Sequence, residues 1–193
     1  RKTAAEQASE KIMETLTYLD MPKVRFEITL YKTEDFTPSG CDRVEFMVAT
    51  NPGEPLSPMC DIASGGEMAR IMLAIKSVIN EKDGVGCAIY DEIDTGISGK
   101  TSRKVGIKLK EIAKRIQVLC VTHSAQIASL ADILIGNEED FQLCLKVKGP
   151  EAGGKDLGSK IESFKEMILR VQQQYPNATT FATTLRQVIN ANE

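Results

Sequence analysis

Two short stretches hold residue types that could do chemistry together. Ser64-Gly65-Gly66-Glu67 stands before an apolar run, and Asp91-Glu92 ends the apolar stretch Cys87-Ala-Ile-Tyr90. Ser64 followed three residues later by Glu67 is a capping box. Gly65 and Gly66 carry no side chain that would keep an anion from the unpaired N–H groups of a helix start, and the helix dipole adds positive charge there. Two carboxylates at a strand end suit a different task. Asp91 can hold Mg²⁺ through its hydration shell, and Glu92 can act as the general base that polarises an attacking water. His123, the single histidine in 193 residues, follows the apolar stretch 117–122 and can hydrogen-bond a terminal phosphate. Each feature has a plainer reading beside it: an ordinary capped helix, an exposed Asp-Glu turn and a structural histidine.

The elements that must position these residues follow from periodicity. Met68, Ile71, Met72, Ile75, Val78 and Ile79 recur at helical spacing, so a helix follows the glycine pair. Stretches 87–90 and 117–122 are too short for helices and predict buried strands. In an open α/β sheet ligands gather beyond the carboxyl ends of the strands, which puts Asp91, Glu92 and His123 at one edge. Asp94, Gly96 and Gly99 continue the loop, and a helix follows with Val105, Leu109, Ile112 and Ile116 as its buried stripe. Its other face carries Arg103, Lys104, Lys108, Lys110, Lys114 and Arg115, a solvated surface or a contact for DNA phosphates. Asp94-Thr-Gly-Ile-Ser-Gly99-Lys100-Thr101 nearly matches the phosphate-loop pattern G-x-x-x-x-G-K-[ST]. Aspartate in place of the first glycine puts a carboxylate beside the phosphates and removes a residue free to take positive φ. A stand-alone phosphate-loop enzyme using residues 94–101 is one alternative function; a non-catalytic DNA- or protein-interaction module is the other.

The remaining elements bracket this centre. Ala5, Ala8, Ile12, Leu16 and Leu19 repeat at near-heptad spacing, predicting the base of a coiled coil or a short amphipathic helix, ended by Pro22. Val24, Phe26, Ile28 and Leu30 alternate with polar residues, and Val44, Phe46 and Val48 do so again after the turn 37–40, so an antiparallel pair is expected. Pro52, Gly53, Pro55 and Pro58 mark an extended loop, and 133–135 predicts a short strand. Phe141, Leu143, Leu145 and Val147 alternate and predict another strand. A glycine-rich loop at 150–158 and helices over 159–174 and 178–191 complete the tail.

Composition sets outer limits. A net charge of −3 gives no general attraction to DNA, so any such contact must come from a local patch. No apolar run is long enough to span a membrane, and no signal peptide is evident. The five cysteines show no C-x-x-C spacing, which argues against a zinc site; Cys87 and Cys120 are expected as reduced, buried packing residues. The chain starts at Arg1 and is expected to be cut from a longer protein.

Three motifs in order carry a resemblance: Ala63-Ser-Gly-Gly-Glu67, then Tyr90-Asp-Glu-Ile-Asp-Thr-Gly-Ile-Ser-Gly99, then Val121-Thr-His-Ser-Ala-Gln-Ile-Ala128. Together with Asp42-Arg-Val-Glu-Phe46 and Asn51-Pro-Gly-Glu-Pro-Leu56, they resemble the C-terminal head lobe of the RecN family, bacterial DNA-repair relatives of the SMC proteins, over residues 1–137. The resemblance implies an α/β fold: the C-terminal lobe of an ABC/SMC-type P-loop ATPase head with a small antiparallel β segment and a coiled-coil stub. Residues 1–20 would be the coiled-coil base, 21–137 the lobe, and 138–193 a strand and helical tail without an assigned role. Ser64, Gly65, Gly66 and Glu67 match the signature that binds the γ-phosphate of ATP held by the opposite head, with Ala63 where most ABC proteins have leucine. Asp91 matches the Mg²⁺-supporting aspartate, Glu92 the catalytic glutamate and His123 the switch histidine. Asp94 falls in the loop that communicates across a head dimer. The implied cofactors are ATP and Mg²⁺. The implied partners are the N-terminal lobe of the same protein, which holds the phosphate loop, a second head, and DNA. The implied location is the bacterial cytoplasm, in association with the nucleoid, and the fragment alone is expected to be inactive.

Overall fold

The computed structural model describes residues 1–38, 40–61, 65–79, 84–147 and 157–184. The chain divides into two compact units, Arg1–Val121 and Thr122–Glu193.

The first unit opens with α1 (Lys2–Tyr18), whose Ile12 and Leu16, four residues apart on one face, are fully buried. After Leu19 the chain turns through Asp20 in the left-handed region (φ 61°), ahead of Pro22. β1 (Arg25–Thr37) and β2 (Gly40–Ala49) form the expected antiparallel pair, in register from Arg25↔Ala49 to Lys32↔Asp42, with an irregularity before Thr37↔Gly40. β2 also pairs with the two-residue β3 (Ser57–Pro58), which ends in a single 3₁₀ turn, Met59–Asp61. The inward residues Phe26 and Val48 meet Ile12, Leu16, Met21 and Val24 in one core, with the Phe26 and Phe46 rings 5.7 Å apart.

α2 (Gly65–Ile79) docks on this core through Ile71, Ala74 and Ile75. Each fully buried Ile or Leu contributes about 1.5–3 kcal/mol. Packing therefore fixes α2 against this core more firmly than helix propensity does. Beyond it, β4 (Cys87–Asp91) and β5 (Gln117–Val121) lie parallel, in register from Cys87↔Gln117 to Asp91↔Val121. They are joined by α3 (Gly99–Ala113), which buries Val105, Leu109 and Ile112. The strands occur where the apolar runs predict them, but they are not buried throughout. Tyr90 is buried, whereas Ile89, Leu119 and Val121 are 70%, 45% and 61% exposed. An apolar run signals two covered faces, and here one face is open. Cys87, expected in the core, is exposed, and Cys120 is half-buried.

The second unit holds α4 (Ala125–Ala128), β6 (Ile133–Asn137), α5 (Glu138–Leu143), α6 (Leu157–Gln174) and β7 (Thr180–Thr184). β6 and β7 pair in parallel, Ile133↔Thr180 to Asn137↔Thr184. Its core gathers Phe141, Leu145, Val147, Met167, Val171 and Tyr175, and the Tyr175 hydroxyl donates to Leu145 O at 2.9 Å. Two expectations for the tail are corrected. The alternating stretch that begins at Phe141 lies partly in helix α5, because the Asn137 side chain accepts from Asp140 N and Asp140 accepts from Asn137 N, a full capping box. Over Thr180–Thr184 the helix expected at 178–191 gives way to β7, whose Thr-rich sequence suits a strand. The glycine-rich stretch 150–156 and residues 185–193 lie outside the described residues.

Candidate functional site

α2 begins at Gly65; Ser64, the other half of the expected capping box, lies outside the described residues. The two glycines have different surroundings. Among the described residues a Cβ on Gly65 would meet nothing within 4 Å, so no described residue blocks the helix start there. A Cβ on buried Gly66 would lie 3.0 Å from Thr95 O and 3.3 Å from Arg70 Nη1. The second glycine is thus required by close contact with the loop after β4.

That loop carries the two carboxylates. Asp91 is the last residue of β4, and both Asp91 and Glu92 are exposed. Glu92 adopts φ 52°, a left-handed conformation that costs a non-glycine residue about 1–3 kcal/mol. Thr95 N donates to Glu92 O at 3.0 Å and closes the turn, while fully buried Ile93 anchors it. Gly96, at φ 72°, supplies the second left-handed position. Asp94 is buried (3% exposed). Burial, and then the negative charges of Asp94 and Asp91, push the Cys120 thiol on β5 up to about 12. Burial likewise raises the Tyr90 hydroxyl to about 12.

Arg70 joins α2 to this loop. It lies one helical turn after Gly66, is 6% exposed, and its Nη1 donates to Ile93 O (3.3 Å) and Thr95 O (3.1 Å). Its Nε has no hydrogen-bond partner among the described residues. Burial lowers the guanidinium from its ordinary value, and the charge of Glu67, one turn away, pushes it back up. Arg70 was not singled out from sequence, although a cation in phase with Gly66, Leu73 and Ala74 on the buried face of a helix was a readable signal.

The near-match at Gly99-Lys100-Thr101 is committed to other contacts. Ser98 caps α3 by accepting from Thr101 N at 3.4 Å. The buried Thr101 hydroxyl donates to Asp20 Oδ2 at 2.8 Å, and Lys104 Nζ donates to Asp20 Oδ1 at 2.7 Å. These bonds to Lys104 and Thr101 hold the Asp20 carboxyl below its usual value. Lys104 and Lys108 also lie 5.4 and 5.3 Å from the Tyr18 ring centre, and Lys108 pairs with Glu111 at 2.8 Å. Part of the basic face is therefore engaged within the fold.

The structure thus gathers Gly65, Gly66, Glu67, Asp91, Glu92 and Asp94 in the first unit. His123 belongs to the second, exposed, in the short link between β5 and α4, where Ser124 N donates to Thr122 Oγ1 at 3.0 Å. Among the described residues no cluster of three or more His, Cys, Asp or Glu could hold a metal by itself. One exposed carboxylate, Asp91, still fits Mg²⁺, which takes one or two carboxylates and completes its shell with water and phosphate oxygens. Among the described residues no helix is long and apolar enough to cross a membrane.

No family model matches the chain. A solved Smc head domain with an extended coiled coil, bound to the C-terminal domain of ScpA and derived from Pyrococcus furiosus, is similar over 66% of this chain and 30% of that chain, with 25% identity and a TM-score of 0.49. DNA repair protein RecN of Halalkalibacterium halodurans is 43% identical over 136 residues, covering 68% of this chain and 24% of that protein. RecN of Treponema pallidum is 41% identical over 138 residues, again 68% of this chain and 24% of that protein. The chain spans about a quarter of the length of these relatives, and on the strength of that sequence identity it belongs to the RecN family of DNA repair proteins.

Proposed function

We propose that this chain is the C-terminal head lobe of an ATP-hydrolysing, SMC-like protein of DNA double-strand-break repair. In that protein it completes a nucleotide site between two heads. The observation that carries the reading is the direct contact between the open helix start at Gly65–Gly66 and the loop bearing Asp91 and Glu92. The N–H groups at the start of α2, with the helix dipole behind them, receive the γ-phosphate of a nucleotide held by the phosphate loop of the opposite head. Ser64, which precedes Gly65 in the sequence, and Glu67 in the first turn of α2 complete this phosphate-binding group. The Asp91 carboxylate holds Mg²⁺, and Glu92, exposed at the strand end, takes a proton from the attacking water. His123 hydrogen-bonds the terminal phosphate and Asp94 supports the loop between heads. Mg²⁺, when bound, offsets charge on the phosphate oxygens. α1 is the base of the coiled coil, DNA is handled as heads close and open, and the work is done in the bacterial cytoplasm, at the nucleoid.

The test is Glu92→Gln in the full-length protein. Nucleotide binding should persist while turnover falls about 10²- to 10⁴-fold, the usual size of a lost general base. Undiminished hydrolysis would remove Glu92 from its role. This chain should bind and hydrolyse Mg-ATP only when an N-terminal lobe is added.

A further inference from the structure

We infer that Arg70 is a positioning residue that fastens loop 92–96 to the first turn of α2, so that the anion-binding helix start and Glu92 keep one fixed spacing. This rests on the reading of Glu92 as the base. A single nitrogen, Nη1, bridges two carbonyls, Ile93 O and Thr95 O, that flank the buried Asp94. The same nitrogen lies 3.3 Å from the Cβ position of Gly66, so guanidinium, helix start and loop are in mutual contact.

Stability alone does not favour a cation here. The guanidinium is desolvated, its Nε has no partner among the described residues, and it sits in the first turns of a helix, where the dipole disfavours positive charge. An apolar side chain of similar volume is often neutral or stabilising at such a place. Glu67, one turn earlier, favours the charged form. What the cation supplies is a pair of directed bonds to a strained loop. Glu92 at φ 52° is held only if its surroundings over-determine it. The local restraints are the Thr95–Glu92 turn bond and buried Ile93. Arg70 adds two side-chain hydrogen bonds to the loop from α2.

The experiment uses the full-length protein with Arg70→Met, which fills the space without donors, and Arg70→Lys, which keeps a donor and the charge. Amide hydrogen exchange at residues 92–96 reads the tie without any nucleotide. In Arg70→Met these amides should exchange faster while those of residues 71–75 stay protected. The kcat for ATP should fall about 10- to 100-fold, the usual loss when a supporting contact is removed. KM should stay within about threefold, since ground-state binding is untouched. Arg70→Lys should recover part of both the loop protection and the kcat. Unchanged loop exchange in Arg70→Met, or Lys and Met variants alike in both readouts, would overturn the inference. So would a freed loop with unchanged kcat in a protein that Glu92→Gln inactivates. Glu92→Gln run alongside reports separately whether the catalytic reading itself has failed.

Discussion

Replacing Gly66 and then Gly65 by alanine separates the two jobs of the glycine pair. At Gly66 the new methyl would stand 3.0 Å from Thr95 O and 3.3 Å from both Thr95 Cβ and Arg70 Nη1. The carbonyl would have to give by a few tenths of an ångström, yet Arg70 holds it at 3.1 Å and the Thr95–Glu92 bond closes the same turn. Overpacking of this kind costs about 1–3 kcal/mol, against a helix-propensity gain of at most ~1 kcal/mol for Gly→Ala. The net expectation is a loss of about 1 kcal/mol, or roughly 4 °C in the Tm of a unit of this size. At Gly65 nothing among the described residues lies within 4 Å, so alanine should be neutral or stabilising by ~0.4–1 kcal/mol. The assay is thermal unfolding of the chain followed by a probe placed in Arg1–Val121, because two compact units need not melt together. In the full-length protein Gly65→Ala should nonetheless lower ATP turnover, since its methyl stands in the proposed phosphate approach. Equal stability of the two variants, or Gly66→Ala the more stable, would refute the contact argument.

Tyr90→Phe should raise the stability of the first unit by about 1 kcal/mol, because it deletes a buried hydroxyl that has no partner among the described residues; a lower Tm would mean the hydroxyl is satisfied. The Asp20 tie should be acid-sensitive. Its folded carboxyl lies below the ordinary value, chiefly through the Lys104 and Thr101 bonds. Its contribution is therefore fully present above the unfolded value and is lost as pH falls through the folded one. Amides in the first turn of α3 should exchange faster as pH drops below the ordinary carboxylate range, after correction for intrinsic rates, and Asp20→Asn should remove that transition. A transition that survives the substitution would assign it to another group.

Local pattern made much of the fold legible. Phe26 and Ile28 facing Phe46 and Val48 across a short turn, and the stripe Val105, Leu109 and Ile112, each put one apolar face against one core. The same logic failed where pattern was ambiguous. Phe141, Leu143, Leu145 and Val147 alternate, but Phe141 and Leu145 are also four apart, as on a helix. The cap pair Asn137 and Asp140 decides for the helix, since it satisfies helix-start N–H groups that a strand would not leave free. At 180–184 the threonines signalled a strand that the preceding turn, Tyr175-Pro-Asn177, did not forbid. Exposure misled for a different reason. Ile89, Leu119 and Val121 are as apolar as core residues, and one sequence cannot reveal which face of a strand its own chain covers.

The site divides along the same line. Glycines at a helix start and carboxylates at a strand end are encoded within a few residues, because the chemistry they suit is set by local backbone geometry. Gly65, Gly66, Asp91 and Glu92 could therefore be named before any fold was known. The restraint between them is encoded nowhere locally. Arg70 follows Gly66 by one turn, yet its acceptors lie 23 and 25 residues away along the chain. Nothing in the spacing says that the loop returns to that face of α2. Gly66 belongs to both classes at once. It reads as part of an anion-binding pair, yet its surroundings show that a backbone contact with Thr95 already demands glycine there. A motif residue can thus be required by the fold as well as by the ligand, and only variants that separate the two, as Gly65→Ala and Gly66→Ala do, assign each its cause.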